Sequence, residues 1–152
     1  MQGGRATPFS NQTTVNVFHL VNENGAAVKL PEITEVYVVD DDEAVLRSTQ
    51  ALLEVKGYQV RTFSSGENFL AYAETLQSLN SSCLLVDLNM PGMNGPDVIS
   101  SVTQRHYGIP VIAMTADINP TFRQQALANG AIRVLNKPFD AADLVSLLQS
   151  LT

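Results

Sequence analysis

From residue 35 to its end, the chain alternates short apolar runs with longer stretches in which apolar residues recur at helical spacing. The runs at 36–39 and 83–86 are continuously apolar, a pattern typical of strands that are buried on both faces. The predicted strands are 36–39, 58–63, 83–86, 110–114 and 132–135, and the predicted helices that follow them are 43–56, 64–76 (capped by Ser64 or Ser65), 96–102, 120–128 and 141–151. Buried strands joined by helical crossovers pair in parallel, with helices on both faces of the sheet. The alternation therefore predicts an α/β fold, a doubly wound five-stranded parallel sheet.

The composition changes near residue 35, and we expect an N-terminal extension at 1–34 followed by one folded domain at 35–152. With 45% hydrophobic and 16% charged residues, the chain has enough apolar material to bury a core. Residues 1–12 are rich in Gly, Ser, Thr and Asn, which predicts a disordered leader. Apolar stretches on both sides of Asn24-Gly25 predict a tight hairpin, with a flexible extension as the alternative.

The charge balance and the absence of long apolar runs exclude several classes of protein. A net charge of -6 and a pI near 4.7 argue against nucleic-acid binding by this chain, because attraction to phosphate needs clustered Lys and Arg. No apolar run approaches the ~20 residues of a membrane span, and the polar N-terminus has no signal-peptide core. The lone cysteine, Cys83, excludes an internal disulfide and a thiolate zinc cage. We therefore expect a cytoplasmic protein with no membrane partner.

Polar and charged residues follow the predicted strands at the edge where parallel strands end. Aspartates occupy positions 40–42 after the first strand, Asp87 ends the third, Thr115 ends the fourth, and Lys137 follows the fifth. In doubly wound sheets this edge holds the functional crevice. Clustered carboxylates repel one another by about 4 kcal/mol per pair at ~4 Å in an effective dielectric constant of roughly 20. Because a hard cation such as Mg²⁺ removes that conflict, the pattern predicts a metal-dependent phosphate site.

Four motifs occur in order at this edge: Val-Val-Asp-Asp-Asp-Glu at 38–43, Asp-Leu-Asn-Met-Pro-Gly-Met-Asn-Gly at 87–95, Met-Thr-Ala at 114–116 and Lys-Pro-Phe at 137–139. Together they resemble the receiver domain of two-component response regulators, and the resemblance covers residues 35–152. The segments 36–43 and 61–65 are most similar to receivers of FixJ-type transcriptional regulators. The resemblance implies the flavodoxin-like receiver fold, with strand order 2-1-3-4-5.

The resemblance also assigns roles to individual residues. It implies that Asp87 is the phosphoryl acceptor, whose carboxylate attacks as a nucleophile and forms an acyl phosphate. The implied Mg²⁺ ligands are Asp41, Asp87 and the backbone carbonyl of Asn89, with Asp40 acting through water. The implied phosphate ligands are the Thr115 hydroxyl, the Ala116 backbone N–H and the Lys137 ammonium. Asp42 and Glu43 are expected to be helix-start residues, favoured there by the helix dipole.

As a receiver, the chain is implied to take its phosphoryl group from a histidine kinase and to act as a signalling phosphoacceptor rather than as an enzyme. Phosphorylation is then expected to switch partner binding or homodimerisation through the face of helix 4, strand 5 and helix 5, with an output in transcriptional regulation. A cis Lys137–Pro138 bond is also implied. One residue departs from the pattern: Val134 stands where many receivers carry Phe or Tyr, and a β-branched side chain cannot reproduce the swing of a ring.

Other interpretations are open at the level of the sequence. Asp40-x-Asp42 after an apolar strand also resembles a haloacid-dehalogenase-type phosphatase, but Ala44 departs from that motif and the segment 87–95 goes unexplained. A flavodoxin-like flavin protein shares the architecture, but three aspartates after the first strand repel the phosphate of FMN. Among receivers, the chain fits a stand-alone protein, part of a transcription factor or part of a hybrid kinase, and the FixJ-like motifs favour the transcription factor.

Overall fold

The structure is a computed structural model, and it describes residues 6–8, 18–21, 24–25, 27–28, 32–76, 79, 81–105, 107–117 and 119–151. Near the N-terminus, three short strands form an antiparallel sheet: β1 (Ala6–Pro8), β2 (Phe18–Val21) and β3 (Ala27–Val28). Leu20 pairs with Val28, and Asn24 and Gly25 lie in a turn between β2 and β3. Gly25 has a φ of +82°, which glycine adopts without steric cost. The rest of the expected leader lies outside the described residues, and the domain division stays a prediction.

A second sheet contains five parallel strands. They are β4 (Glu35–Val39), β5 (Gln59–Phe63), β6 (Ser82–Asp87), β7 (Val111–Thr115) and β8 (Arg133–Asn136), in the order β5-β4-β6-β7-β8. Val38 of β4 pairs with Thr62 on one side and with Leu85 on the other, and Leu85 pairs in turn with Ile112. Numbered among themselves, these strands have the order 2-1-3-4-5. The predicted α/β sheet and its strand order are therefore confirmed.

A helix follows each strand of the parallel sheet. The helices are α1 (Glu43–Val55), α2 (Gly66–Ala73), α3 (Gly95–Gln104), α4 (Pro120–Asn129) and α5 (Ala141–Ser150). Side chains cap the first four by accepting from first-turn backbone N–H groups, and the caps are Asp42, Ser65, Asn94 and Asn119. The longest helix, α1, has 13 residues, and none in the described part of the chain has the length and hydropathy that crossing a membrane requires.

Each predicted element differs from the structure at one or both ends by one to three residues, and three of these differences have a clear backbone cause. The second helix ends at Ala73 rather than at 76, because the Leu76 backbone N–H closes a tight turn onto the Ala73 carbonyl. Tyr58 precedes β5, because its backbone N–H donates to the Leu53 carbonyl at the end of α1. Pro110 precedes β7, and it has no N–H with which to donate to a strand ladder. In each case a backbone hydrogen bond or a missing N–H makes the observed element shorter than the pattern of apolar side chains predicts.

The parallel sheet separates two apolar clusters, because alternate side chains of a strand point to opposite faces. On one face, Tyr37 and Val39 of β4 pack with side chains of α2 and α3. On the other face, Val36 and Val38 pack with side chains of α1 and α5. Cys83 is fully buried in this second cluster, where its thiol serves as a small apolar group. Helices thus cover both faces of the sheet, and polar residues gather at its edge.

Candidate functional site

The carboxyl ends of four neighbouring strands bring the predicted site residues to one edge of the parallel sheet. Asp40 follows β4, Asp87 ends β6, Thr115 ends β7, and Lys137 follows β8. The ends of these strands converge because the strands are adjacent and parallel. Carboxylate oxygens of Asp40, Asp41 and Asp87 lie within 4.8 Å of one another. Residues that are far apart in the chain thus form one acidic cluster.

Lys137 bridges two of the three carboxylates in the cluster. Its Nζ donates to Asp40 Oδ2 at 2.6 Å and lies 3.4 Å from Asp87 Oδ1. Asp40 is fully buried and Asp87 is 5% exposed, so water screens these charges poorly, whereas Asp41 is exposed. Three carboxylates against one ammonium leave two excess negative charges. The donor set, made of oxygen atoms with this excess charge, fits a hard divalent cation.

Burial and neighbouring charges shift the pKa values of Asp87 and Lys137. Burial, together with repulsion from Asp40, raises the pKa of Asp87 to about 6, against the attraction of Lys137. Burial lowers the pKa of Lys137, but the hydrogen bond to Asp40 and the attraction of Asp87 outweigh it and leave that pKa above its ordinary value. Lys137 is therefore protonated at neutral pH. A further cation beside Asp87 would favour the ionised carboxylate, the form that acts as a nucleophile.

The other predicted ligands border the acidic cluster. The Asn89 backbone N–H donates to Asp87 Oδ1 at 3.3 Å, which places this residue directly beside Asp87. Thr115 Oγ1 is buried and accepts a hydrogen bond from the Asp117 backbone N–H at 2.9 Å, in the segment between β7 and α4. Ala116 follows Thr115 and has an exposed side chain. The same hydroxyl donates to the Asp117 carbonyl at 3.4 Å, so its own loop engages it both as donor and as acceptor.

Asp42 lies beside the cluster, but its carboxylate serves α1. Asp42 Oδ1 accepts from the Ala44 backbone nitrogen at 2.9 Å and from the Val45 nitrogen at 3.3 Å. Glu43 is exposed and lies 3.9 Å from Arg47 of the same helix. The expectation that these two acidic residues start a helix is confirmed. Asp42 also donates its backbone N–H to Asp40 Oδ1 at 2.9 Å, so the helix start orients a residue of the cluster.

Gly95 ends the motif at 87–95, but the sequence pattern assigned it no role in the site. It is the first residue of α3, and its backbone N–H donates to the Leu88 carbonyl at 3.3 Å. A Cβ at this position would overlap the Asp87 carbonyl oxygen and the Leu88 Cα, so glycine allows α3 to approach the end of β6. The signal in the sequence is a glycine directly after the helix cap Asn94, and glycine is too common near helix starts to be diagnostic.

Three further features lie in β8 and in the segment that follows it. The Lys137–Pro138 peptide bond is cis, as the resemblance implied. Val134 is half-buried and packs against the cluster of the α2 and α3 face. Beside Lys137, an open cleft of about 520 Å³ separates α1 from the segment 137–139, with Thr49 and Leu52 in its wall. The acidic cluster is therefore bordered by a largely apolar surface.

A model of the response regulator receiver domain matches residues 36–149, and the chain belongs to this family. The DNA-binding transcriptional regulator NtrC of Escherichia coli K12 is 37% identical over 114 residues, which are 75% of this chain and 24% of NtrC. The transcriptional regulatory protein FixJ of Azorhizobium caulinodans is 32% identical over 121 residues, which are 80% of this chain and 56% of FixJ. The solved structure of the chemotaxis protein CheY4 of Vibrio cholerae has a TM-score of 0.70 and 29% identity, over 79% of this chain and 99% of CheY4.

The resemblance of residues 35–152 to a receiver domain is thereby confirmed. The matched region includes the segment 87–95, which the phosphatase alternative left unexplained, and the structural alignment with CheY4 includes almost all of that protein. FixJ is among the similar relatives, as the motifs at 36–43 and 61–65 implied. The chain spans about a quarter of NtrC and about half of FixJ, so the activities of those complete proteins do not transfer directly.

Proposed function

We propose that Asp87 is the phosphoryl acceptor of this receiver domain and that a histidine kinase is its donor. The observation that carries the proposal is the cluster of Asp40, Asp41 and Asp87 within 4.8 Å, with Lys137 Nζ 3.4 Å from Asp87. In the transfer, an Asp87 oxygen attacks phosphorus, the P–N bond to the donor histidine breaks with its electron pair staying on nitrogen, and an acyl phosphate forms. The chain modifies only itself, and is therefore a signalling phosphoacceptor rather than an enzyme.

Mg²⁺ would be held by oxygen atoms of Asp40, Asp41, Asp87 and the Asn89 backbone carbonyl. Their negative charge and oxygen donors suit this cation, with Asp40 contributing through water. Bound there, Mg²⁺ supplies the positive charge that lets an anionic carboxylate approach an anionic phosphoryl group. Asp40 has a second role, because its 2.6 Å hydrogen bond holds the Lys137 ammonium beside the acceptor.

Thr115, Ala116 and Lys137 would bind the phosphoryl group after transfer. The Lys137 ammonium already lies beside Asp87 and would pair with a phosphoryl oxygen. The Thr115 hydroxyl, which donates to the Asp117 carbonyl at 3.4 Å, would exchange that acceptor for a second phosphoryl oxygen, and the Ala116 backbone N–H would donate to a third. This exchange of partners moves the loop before α4. It supplies the two conformations that a phosphorylation-dependent switch requires.

The proposed output is a change in partner binding or homodimerisation, in the service of transcriptional regulation. The relatives NtrC and FixJ are transcriptional regulators by name. The face formed by α4, β8 and α5 is the proposed surface, and two exposed apolar side chains, Leu127 of α4 (46%) and Ile132 before β8 (38%), lie on or next to its elements. The chain's excess of acidic residues supports an output without direct nucleic-acid contact. The cytoplasm stays the predicted location.

Intact-protein mass after incubation with acetyl phosphate tests the acceptor assignment. The wild-type chain is expected to gain one phosphoryl group in the presence of Mg²⁺ and to label at least about tenfold less without it, within the range expected for metal stabilisation of developing charge. Asp87→Asn should not label, because an amide oxygen is a poor nucleophile. Asp97→Asn, which removes an exposed carboxylate from the first turn of α3, is the matched control and should label like the wild type.

Labelling of Asp87→Asn at the wild-type level would contradict the assignment and make Asp40 the next nucleophile to examine. A folded wild-type chain that labels neither with acetyl phosphate nor with a phosphorylated histidine kinase would contradict the phosphoacceptor function as a whole. These two results are distinct, because the first concerns the residue and the second concerns the activity.

A further inference from the structure

Helix α4 is held against the rest of the fold by few apolar contacts. Of its ten residues, Ala126 is buried, and half-buried Phe122 adds a contact with the cluster of the α2 and α3 face. Most of its other side chains are exposed, including the apolar Leu127. A helix with so little buried apolar surface is positioned to a large extent by individual hydrogen bonds, and small changes in those bonds can displace it.

Directed hydrogen bonds attach α4 to two neighbouring elements. At its C-terminal end, the Asn129 carbonyl accepts from Thr103 Oγ1 at 2.8 Å, and the Asn129 side-chain amide donates to the Pro96 carbonyl at 3.2 Å. Both bonds anchor this end on α3. Nearer its N-terminal end, Arg123 Nη2 donates to Asn136 Oδ1 at 2.5 Å, which links the helix to the last residue of β8. The two attachments therefore lead to different parts of the fold.

Asn136, which accepts the hydrogen bond from Arg123, lies at the edge of the sheet that carries the proposed phosphate site. Asn136 pairs with Thr115 in the parallel ladder and immediately precedes Lys137. The Lys137 backbone N–H donates to the Thr115 carbonyl at 2.8 Å, and its Nζ lies 3.4 Å from Asp87 Oδ1. A displacement of Thr115 or Lys137 toward a phosphoryl group therefore moves Asn136 relative to Arg123.

We propose that the Arg123–Asn136 hydrogen bond transmits phosphorylation of Asp87 to α4, which pivots about its anchor at Asn129. The inference rests on the proposed function and extends it by naming the contact that carries the change. The bond has a charged, planar donor, so its strength depends on the relative orientation of the two side chains. Coupling of this kind is reciprocal: a partner that binds the displaced helix favours the phosphorylated state by the same factor.

Amide hydrogen exchange of α4, measured before and after phosphorylation with acetyl phosphate and Mg²⁺, tests the link, with the adduct quantified by intact mass. In the wild type, phosphorylation is expected to change exchange in the first turns of α4 more than at Asn129. Arg123→Ala and Asn136→Ala should form the adduct to the wild-type extent but reduce that change about fivefold or more, a size typical of allosteric coupling. The double variant should match the single ones, because each removes the same bond.

Conservative substitutions and substitutions of neighbouring residues distinguish loss of the Arg123–Asn136 hydrogen bond from a general destabilisation of α4. Arg123→Lys keeps the charge without the planar fork and should give an intermediate response. Gln124→Ala removes an exposed side chain of α4, and Arg133→Ala removes a β8 guanidinium that donates to the Ile132 carbonyl; both should respond like the wild type. Equal responses of the wild type, Arg123→Ala and Asn136→Ala at equal adduct levels would overturn the link and leave the phosphorylation of Asp87 standing. A wild-type chain without an adduct would contradict the proposed function and, with it, this inference.

Discussion

Asp87 lies among charges that both oppose and support its own ionisation. Its carboxylate is nearly buried and close to those of Asp40 and Asp41, while Lys137, which follows β8 at the same edge of the sheet, supplies positive charge. Burial first, and then repulsion from Asp40, raise the pKa of Asp87. Without a bound cation, ionised Asp87 therefore reduces the stability of the folded chain. The same feature favours binding of a cation, because a positive charge beside Asp87 relieves the repulsion.

At the residue scale, we predict that Asp87 makes stability depend on pH in buffer without divalent cations. The pKa of Asp87 is about 6 in the folded chain, against an ordinary value of 3.8, so the folded state binds more protons between these pH values. The contribution of Asp87 to the free energy of unfolding is complete below about pH 4 and is lost as pH rises through about 6, by at most about 3 kcal/mol. Urea unfolding of the wild type and Asp87→Asn at several pH values measures the difference.

The variant is expected to lack this part of the pH dependence and to be the more stable chain at pH 7 without Mg²⁺. Asp143→Asn, an exposed carboxylate in the first turn of α5, is the control and should keep the wild-type slope. Parallel pH profiles for the wild type and Asp87→Asn would show that the charge of Asp87 is already compensated in the folded chain.

At the scale of elements, α1 and α4 are attached to the fold in contrasting ways. Helix α1 buries Leu46 and Leu53 against the sheet, and it starts at a side-chain cap that directly follows the acidic pair at 40–41. Helix α4 buries one residue and depends on hydrogen bonds to α3 and β8. The first helix is therefore suited to hold the site in place. The second is suited to move when the site changes.

For α1, we predict that Asp42→Ala lowers the free energy of unfolding by about 1 kcal/mol, because two first-turn N–H groups lose their acceptor. Asp42→Ser should restore most of the stability, since serine also caps helices. Phosphorylation by acetyl phosphate should continue in both variants, because the Asp42 carboxylate faces the helix start rather than Asp87. Urea unfolding and intact mass measure the two effects. Loss of Mg²⁺ binding in Asp42→Ser would instead identify Asp42 as a metal ligand.

At the scale of the whole molecule, the site is a product of sheet topology. The Lys137–Asp40 ion pair joins residues that are 97 positions apart, across the outer and central parts of one parallel sheet. The clusters on the two faces hold these strands in register, so the three carboxylates are kept close although they repel one another. Folding energy from the core thus maintains an arrangement that the charges alone would oppose.

We predict that Mg²⁺ stabilises the whole domain by mass action. A ligand that binds only the folded state adds about 2.7 kcal/mol when its free concentration is roughly 100 times its Kd, which raises Tm by several degrees. Calorimetry with Mg²⁺ or with NaCl of equal ionic strength measures the shift. Asp41→Asn should lose most of it because one of the three clustered carboxylates is removed, whereas Asp97→Asn should keep it. Equal shifts in the wild type and Asp41→Asn would place the cation elsewhere.

The architecture and most site residues could be predicted because they depend on short-range signals. Continuous apolar runs identified buried strands, and the alternation with helices restricts the connections to parallel crossovers, whose strand ends share one edge. Asp40, Asp87, Thr115 and Lys137 could be placed together on that basis alone. The errors at Leu76, Tyr58 and Pro110 arose where a backbone turn or a missing N–H, rather than side-chain periodicity, decided the end of an element.

By itself, then, the sequence determined which segments form strands and helices, the order of the sheet through its family motifs, and the identity of the charged residues at its edge. Only the tertiary structure decided which hydrogen bonds and packing contacts the residues at and near this edge make. The Thr115 hydroxyl binds its own loop, Gly95 provides the close approach of α3, and Arg123 reaches Asn136 across a gap of 13 residues. Such contacts depend on the packing of whole elements, and periodicity, capping and turn signals act over only a few neighbouring residues.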